Sequence, residues 1–377
     1  MNSKFPRYRD FDPAVPAWCV TPDQDGCMHR FFDTSPISPS GRYLVVFQMP
    51  FENRQPEPGE AGRVSLVDLE SGEFRVVAET CGWEPQLGAN VNWGGTDHEL
   101  FFNDVDTRTW RPFAWKLDPL SGAREKMDGA VYHASPDGRW LVSANMTTMR
   151  RTQPGYGVCI PTDAMRQNVG PSEDDGFHLT DTSTGKTRLF ASIADILAKA
   201  DPPVRIDDPA RQEIYGFHSK FNPQGDRLML SLRWFPTVAD PRWNLFKHDF
   251  SAVRYAWVTT GLDGGAFACA VGPEQWEKGG HHATWFPDGK RISMNLNIDR
   301  DGLRFVRLEE GVVVHLLVRW GLERPANFDG WRFTARKCSL NPYSPTNLHK
   351  KKSTAPGKGT QDIMPARDIK TDNGPSV

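Results

Sequence analysis

No run of about 18 apolar residues occurs in this 377-residue chain, so nothing in it reads as a membrane-spanning helix. A charge excess of one sign is also missing. Lys and Arg number 45 against 47 Asp and Glu, a formal net charge of −2, which predicts no general affinity for nucleic acid or for an anionic membrane. The six cysteines (19, 27, 81, 159, 269 and 338) are scattered and form no CxxC pair. They read as reduced thiols, and with no apolar stretch in MNSKFPRYRDFDPAVP to serve as a signal peptide, the expectation is a cytoplasmic protein. Several chemistries lack their signatures: there is no GxSxG elbow, no GxxxxGK[ST] phosphate loop and no GxGxxG after a strand.

Aromatics and turn formers are plentiful instead: 13 Trp, 22 Phe, 33 Gly and 30 Pro, a mixture that suits short strands better than long helices. A unit recurs along the chain: short strand, Pro-[Ser/Asp/Gln]-Gly turn, apolar strand, loop, third strand, Asp-x-x-[Ser/Thr]-Gly-type turn, fourth strand. Unit one holds Ser38–Gln48 and Val64–Val77, unit two Asn92–Asp104 and Phe113–Met127, and unit three Ser135–Asn145 and Phe177–Phe190. Unit four holds Tyr215–Trp234 and Tyr255–Val271, and unit five Phe286–Asn297 and Arg304–Val318. Five tiled four-stranded antiparallel units predict an all-β fold, a β-propeller.

Two insertions interrupt the tiling. Met146–Gly176 lies inside unit three, and Ser192–Ile214, where SIADILAKA reads as a short helix, lies between units three and four. Residues 1–32 read as an N-terminal extension, 33–318 as the propeller, and 319–377, with the Lys350-Lys351-Lys352 run, as an atypical and largely disordered segment.

In a propeller the first strand of each blade lines the central channel, so equivalent positions converge. Counting back seven from each turn Gly gives Thr34, Val131, His218 and His282, with Asn90 near the matching place in unit two and His133 two residues after Val131. The second strands end polar at the same rim: Gln48, Asn103 and Asp104, Asn145, Arg233, Asn295 and Asn297. This ring is a candidate polar-ligand site, with His218, His282, Asn145, Gln48, Asn103, Asn297 and Tyr156 as substrate contacts. His218 and His282 are also candidate imidazole donors to a divalent metal (Mn, Zn or Ca), although no HxH or HxxxH spacing supports one. Simple alternation sends His281 and His282 to opposite faces.

The turns SPSGRYLVV, SPDGRWLVS, NPQGDRLML and FPDGKRISM resemble those of the Tol-type and tryptophan-aspartate-type propeller superfamily, from about Asp33 to Val318. A narrower resemblance, carried by Gly280–Gly289 (GHHATWFPDG), by Leu232-Arg233-Trp234 and by His133, is to the propeller polysaccharide lyases of oligogalacturonate lyase and ulvan lyase type. It implies a seven-bladed family, of which five blades are readable here. It also implies β-elimination by a His, a Tyr and an Arg, which would fall on His133, Tyr215 and Arg233, with Tyr156 the substitute for Tyr215. Oligogalacturonate lyases use a metal held by His and Gln. The expected function is therefore a lyase acting on acidic, uronate-containing oligosaccharides. Arg suits the carboxylate and His the proton abstraction, and Tyr supplies an acid or base. The alternative is a non-catalytic propeller that binds a protein or peptide. A glycoside hydrolase would need two facing carboxylates, for which Asp104 and Asp33 are the rim acids.

Overall fold

The computed structural model describes residues 4–9, 14–153, 155–237, 252–277, 279–297, 303–309 and 312–319. Strands account for 43% of the chain and helices for 9%. Five four-stranded antiparallel sheets follow one another along the chain, each a meander in sequence order, which is the blade of a β-propeller. Blade one comprises Cys27–Met28, Tyr43–Gln48, Gly62–Asp68 and Phe74–Thr80. Blade two comprises Asn92–Trp93, Leu100–Asp106, Arg111–Leu117 and Arg124–Lys126. Blade three comprises His133–Ala134, Trp140–Ala144, Gly176–Asp181 and Thr187–Ser192. Blade four comprises Gln212–Phe221, Arg227–Pro236, Arg254–Gly261 and Phe267–Val271, with Ala200–Asp201 added in parallel at its outer edge. Blade five comprises Gly280–Trp285, Ile292–Asn297, Leu303–Glu309 and Val312–Arg319.

The recurring turns form for local reasons. In Ser135-Pro136-Asp137-Gly138, Pro fits the fixed φ of the second position, and Gly138 takes φ +72°, which a side chain would resist. The turn closes by Gly138 N donating to Ser135 O at 2.9 Å, and the Asp137 carboxylate accepts from Ser135 Oγ at 2.6 Å. The outer turns use aspartate the same way: Asp68 Oδ1 accepts from the backbone N–H of Glu70 and Ser71 at 2.8 and 3.0 Å.

The second strands of blades two and four are apolar on both faces because a neighbouring blade covers each. In Arg227–Pro236 the alternation sends Leu228, Leu230 and Leu232 into one buried cluster with blade-three side chains, and Met229 into another with Met294 and Val306 of blade five. Phe101 of blade two likewise packs with Val131 and Leu141 of blade three, while Leu100 and Phe102 pack with Val45 and Phe47 of blade one. Each such side chain contributes about 1.5–3 kcal/mol by leaving water.

The first blade begins earlier than the sequence suggests. Cys27 and Met28 pair with Gln48 and Phe47, so the propeller starts at about Cys27 rather than Asp33. Residues ahead of it include a small hairpin, Arg7–Tyr8 against Ala17–Trp18. The helix expected from SIADILAKA forms as Ile193–Lys199, with Ser192 Oγ accepting from Asp195 N as its cap. The chain divides into two compact units, Met1–Asn341 and Pro342–Val377, and the second lies outside the described residues, as does the tail called disordered. Among the described residues no helix is long and apolar enough to cross a membrane.

Asn103, fully buried in blade two, donates Nδ2–H to Val131 O at 2.8 Å and accepts at Oδ1 from Val131 N at 2.7 Å, bracing the entry to blade three. Asn103→Ala strands both backbone groups, and we expect a loss of about 2–3 kcal/mol, measured by urea unfolding. An unchanged midpoint would show that the brace contributes nothing.

Candidate functional site: a buried polar cluster where five blades meet

Arg30-Phe31-Phe32-Asp33, the segment that leaves the first strand of blade one, runs into the middle of the other blades. The side chains of Asp33 and of Lys220 on the inner strand of blade four are each 2% exposed, and Lys220 Nζ lies 2.5 Å from Asp33 Oδ2. Lys220 also donates to Ala283 O of blade five at 2.6 Å. Arg30 reaches Asp33 at 3.7 Å and donates Nε–H to Asn90 Oδ1 of blade two at 3.3 Å. Burial pushes the Asp33 carboxyl up, but Lys220 and Arg30 outweigh it and hold the group at about 2. Burial pulls the Lys220 ammonium down, and Asp33 opposes that pull.

Beside this knot His218 is buried in an aromatic box. Its ring stacks on Phe217 at 4.1 Å and on Tyr132 at 5.3 Å, with Phe31, Tyr156 and Trp257 at 5.5, 5.9 and 6.0 Å. Burial, reinforced by Arg233, Lys220 and Arg30, holds His218 neutral, well below its ordinary value. The Arg30 guanidinium covers the other ring of the stack, 4.5 Å from the Tyr132 centroid.

Arg233 lies directly across the strand pair from Tyr215. Its guanidinium sits 3.6 Å over the Phe217 ring and 4.9 Å from that of Tyr255, and Nη1 donates to Gln153 Oε1. Among the described residues no carboxylate pairs with it. The segment that holds Asp240 and Asp249 lies outside the described residues. The Tyr215 phenol rests against Thr152 and Arg233; burial drives its pKa up, and that of Tyr156 likewise.

Glu84, 1% exposed, lies in the loop before the inner strand of blade two. Its Oε1 accepts from Asn90 Nδ2 at 3.3 Å. Burial raises its carboxyl to about 8, against the opposing pull of Asn90, the Gly157 N–H, Arg150 and Arg30. Asn90 takes φ +52°, a left-handed conformation that Asn tolerates, and so serves Arg30 with one end of its amide and Glu84 with the other.

Buried polar atoms without a hydrogen-bond partner concentrate here: Arg30 Nη2, Asp33 Oδ1 and Oδ2, Glu84 Oε2, Tyr132 OH, Tyr215 OH, His218 Nε2 and Arg233 Nε. Each costs about 1–3 kcal/mol if nothing completes it. Donors and acceptors both occur among them, and the cations Arg30, Lys220 and Arg233 lie near the ionised carboxylate of Asp33.

The structure brings His218, Arg233, Tyr215 and Tyr156 together, and sets His133 beside them. His133 is half-buried on the inner edge of blade three, and its Nδ1 accepts from Phe221 N at 3.1 Å, so the neutral ring carries its proton on Nε2. Burial, then Arg30, holds its pKa at about 3. His282 sits at the exposed edge against Phe32, ring centroids 5.0 Å apart. The expectation that His281 and His282 point to opposite faces is corrected: a bulge and φ +60° at His282 turn the two Nδ1 atoms to within 2.7 Å.

Several rim residues are spent elsewhere, which corrects the polar ring read from the strand ends. Asn103 braces Val131, and Asn145 Oδ1 caps the helix Met146–Thr152 through Thr147 N. Gln48 donates to Gln24 Oε1 and Asp25 O. Asp104 accepts from Thr80, Cys81 N and Trp115 Nε1, so it does not face Asp33 as a hydrolase pair would require. A divalent metal on His218 and His282 does not fit either. His218 is walled by rings, the Nδ1 of His282 is taken by His281, and among the described residues no three His, Cys, Asp or Glu side chains form a ligand set.

Sequence reasoning missed Arg30, Glu84, Tyr132 and Lys220. Lys220 had a signal: it is the one charged residue after Glu213 in an inner strand otherwise buried throughout, two positions from His218. Glu84 had none.

Removing either partner of the Asp33–Lys220 pair leaves a buried charge alone. Asp33→Asn or Lys220→Met is expected to lose about 3–5 kcal/mol, and the double variant much less than the sum. Because the Asp33 pKa is depressed in the folded state, its contribution is present above about pH 4 and disappears as pH falls toward about 2. Asp33→Asn should therefore flatten the acid limb of stability against pH. Additive single losses would show that the two side chains do not act as a pair.

No family model matches the chain, and no curated protein matches it. Among solved structures it is similar to TolB from Acinetobacter baumannii, at 10% identity and TM-score 0.43, over 81% of this chain and 56% of that one. It is also similar to an oligogalacturonate lyase from Vibrio parahaemolyticus, at 15% identity and TM-score 0.47, over 81% of this chain and 69% of that one. An oligogalacturonate lyase in complex with manganese shares 13% identity at TM-score 0.35, over 82% of this chain and 96% of that one. The chain thus spans little more than half the length of the TolB it resembles, and the propeller assignment stands on its own five sheets.

Proposed function

We propose that the protein takes an acidic oligosaccharide where the blades converge and cleaves it by β-elimination across a uronate. The observation that supports the reading is the set of three cations, Arg30, Lys220 and Arg233, gathered near His218 with one ionised carboxylate, Asp33, which suits an anionic ligand. Arg233 is the carboxylate contact. Its ring-stacked guanidinium offers the unpartnered Nε edge, and pairing there withdraws charge so that the C5 proton becomes acidic. His218 and His133 are both held neutral, and His218 Nε2 is the imidazole nitrogen without a hydrogen-bond partner. His133 then acts through Nε2–H as a donor. Tyr215 and Tyr156 keep their protons and serve as hydrogen-bond donors to sugar oxygens. Phe32, 48% exposed beside His282, offers a flat apolar face for a sugar ring at the edge.

Mixing the protein with a panel of uronate oligosaccharides should produce the absorbance of an unsaturated uronate. Arg233→Lys keeps the charge and loses the planar fork, and is expected to raise the barrier by about 2–4 kcal/mol with little change in melting temperature. No absorbance change with any uronate, or full turnover by Arg233→Lys, would overturn the reading.

A further inference from the structure

Two arginines meet where the short helix Met146–Thr152 of the blade-three insertion docks on blade four, and they are partnered differently. Tyr215 lies directly opposite Arg233 on the paired strands, and Glu213 lies two residues before Tyr215, so all three share one face. Three consecutive residues at the end of the helix meet that face. Arg151 forms a two-pronged pair with Glu213, Nε to Oε1 at 2.8 Å and Nη2 to Oε2 at 3.3 Å, and both side chains are buried. Thr152 rests against Tyr215. Gln153, 6% exposed, accepts from Arg233 Nη1 at its Oε1.

We propose that Gln153 is a positioning residue for ligand recognition: its amide fixes the Arg233 guanidinium through one nitrogen and, being neutral, leaves the positive charge for the carboxylate of the ligand. This rests on the uronate reading of Arg233.

The contrast between the two arginines carries it. Arg151 is closed off by an acid and does no more than anchor the insertion. Arg233 is only partly buried, and among the described residues no carboxylate pairs with it. A glutamate at position 153 would have the same shape and bond more strongly, but would cancel the charge. The amide orients without cancelling. Its place is fixed from several sides. Gln153 N donates to Met149 O at 3.0 Å, ending the helix. The chain then returns through Gly157 at φ +72°, where a Cβ would lie 2.4 Å from Arg150 N and Met146 O. Cys159 N donates to Trp83 O at 3.2 Å, and Ile214 N to Asn168 O at 3.1 Å, so the insertion is stitched to blades two and four. With the Phe217 ring 3.6 Å beneath it, the guanidinium is held by a face contact and one hydrogen bond.

Two variants test it. Gln153→Glu keeps the acceptor and neutralises Arg233. Its melting temperature should match or exceed that of the wild type, while KM for the uronate oligomer that the wild type cleaves best rises about 10–100-fold. A plain structural bracket predicts an unimpaired KM for the same change. Gln153→Leu keeps the charge and loses the acceptor. In heteronuclear spectra of arginine-labelled protein, the Arg233 Nη signals, assigned by their loss in Arg233→Lys, should be resolved in the wild type and in Gln153→Glu and averaged in Gln153→Leu. Nη signals indifferent to Gln153→Leu overturn the positioning, and a wild-type KM in Gln153→Glu overturns the charge role while the elimination reading stands. If the wild type cleaves no uronate, the elimination reading fails and the charge role falls with it.

Discussion

The buried pair of Asp33 and Lys220 is the constraint on which the arrangement of the cluster depends. It joins the segment leaving the first strand of blade one to the inner strand of blade four, and through Ala283 O to blade five. Stripping water from two charges costs several kcal/mol per ion, and their attraction returns that only when the geometry is good. A hydrophobic pair of similar volume would serve stability as well. What the ion pair adds is direction: it seats Arg30, Phe31 and Phe32 at fixed positions, so that Arg30 covers Tyr132 and reaches Asn90. Tyr132 in turn stacks on His218.

The orphaned donors around His218 pull the other way. A sequence selected only for stability would replace Tyr132, Tyr215 and His218 by Phe or Leu and lose nothing in packing. Fully buried phenols and an imidazole with unpartnered polar atoms cost stability in the free protein. The surrounding core, from Phe177 and Ile214 to Leu230 and Val258, is dense and apolar enough to absorb that cost. Stability is thus drawn from the blade interfaces and spent where the blades converge, the pattern expected of a binding site rather than of a plain structural hub.

The blades were legible in the sequence because their turns are local chemistry. A Pro, a Gly at positive φ and an Asp or Ser that accepts from nearby N–H groups all fall within five residues, as at Ser135–Gly138. The site was legible only in part. His218 and Arg233 could be found because inner-strand positions converge, an argument from period and repeat. Asn103 and Asn145 misled the same argument: a polar residue at a strand end is also what a blade brace or a helix cap requires. Glu84 and Arg30 lie in irregular segments, where no period links position to direction, so nothing in the chain announces that they meet. The pair His281-His282 failed for a third reason, since a bulge cancels the alternation on which a strand reading relies.

Two carboxyls therefore share one cluster and are driven to opposite states. Asp33 has an ammonium in contact and a guanidinium at 3.7 Å, and stays ionised down to about 2. Glu84 is as deeply buried, with the neutral amide of Asn90 donating to its Oε1, and burial outweighs the pull of Arg150 and Arg30 to raise its carboxyl to about 8. The difference lies in which acid touches the cations directly. At neutral pH one carboxyl is ionised among the cations and the other is neutral. Asn90 lies between the two, accepting from Arg30 Nε and donating to Glu84 Oε1. The left-handed backbone at that position is the small strain by which blade two sets that amide between Arg30 and Glu84.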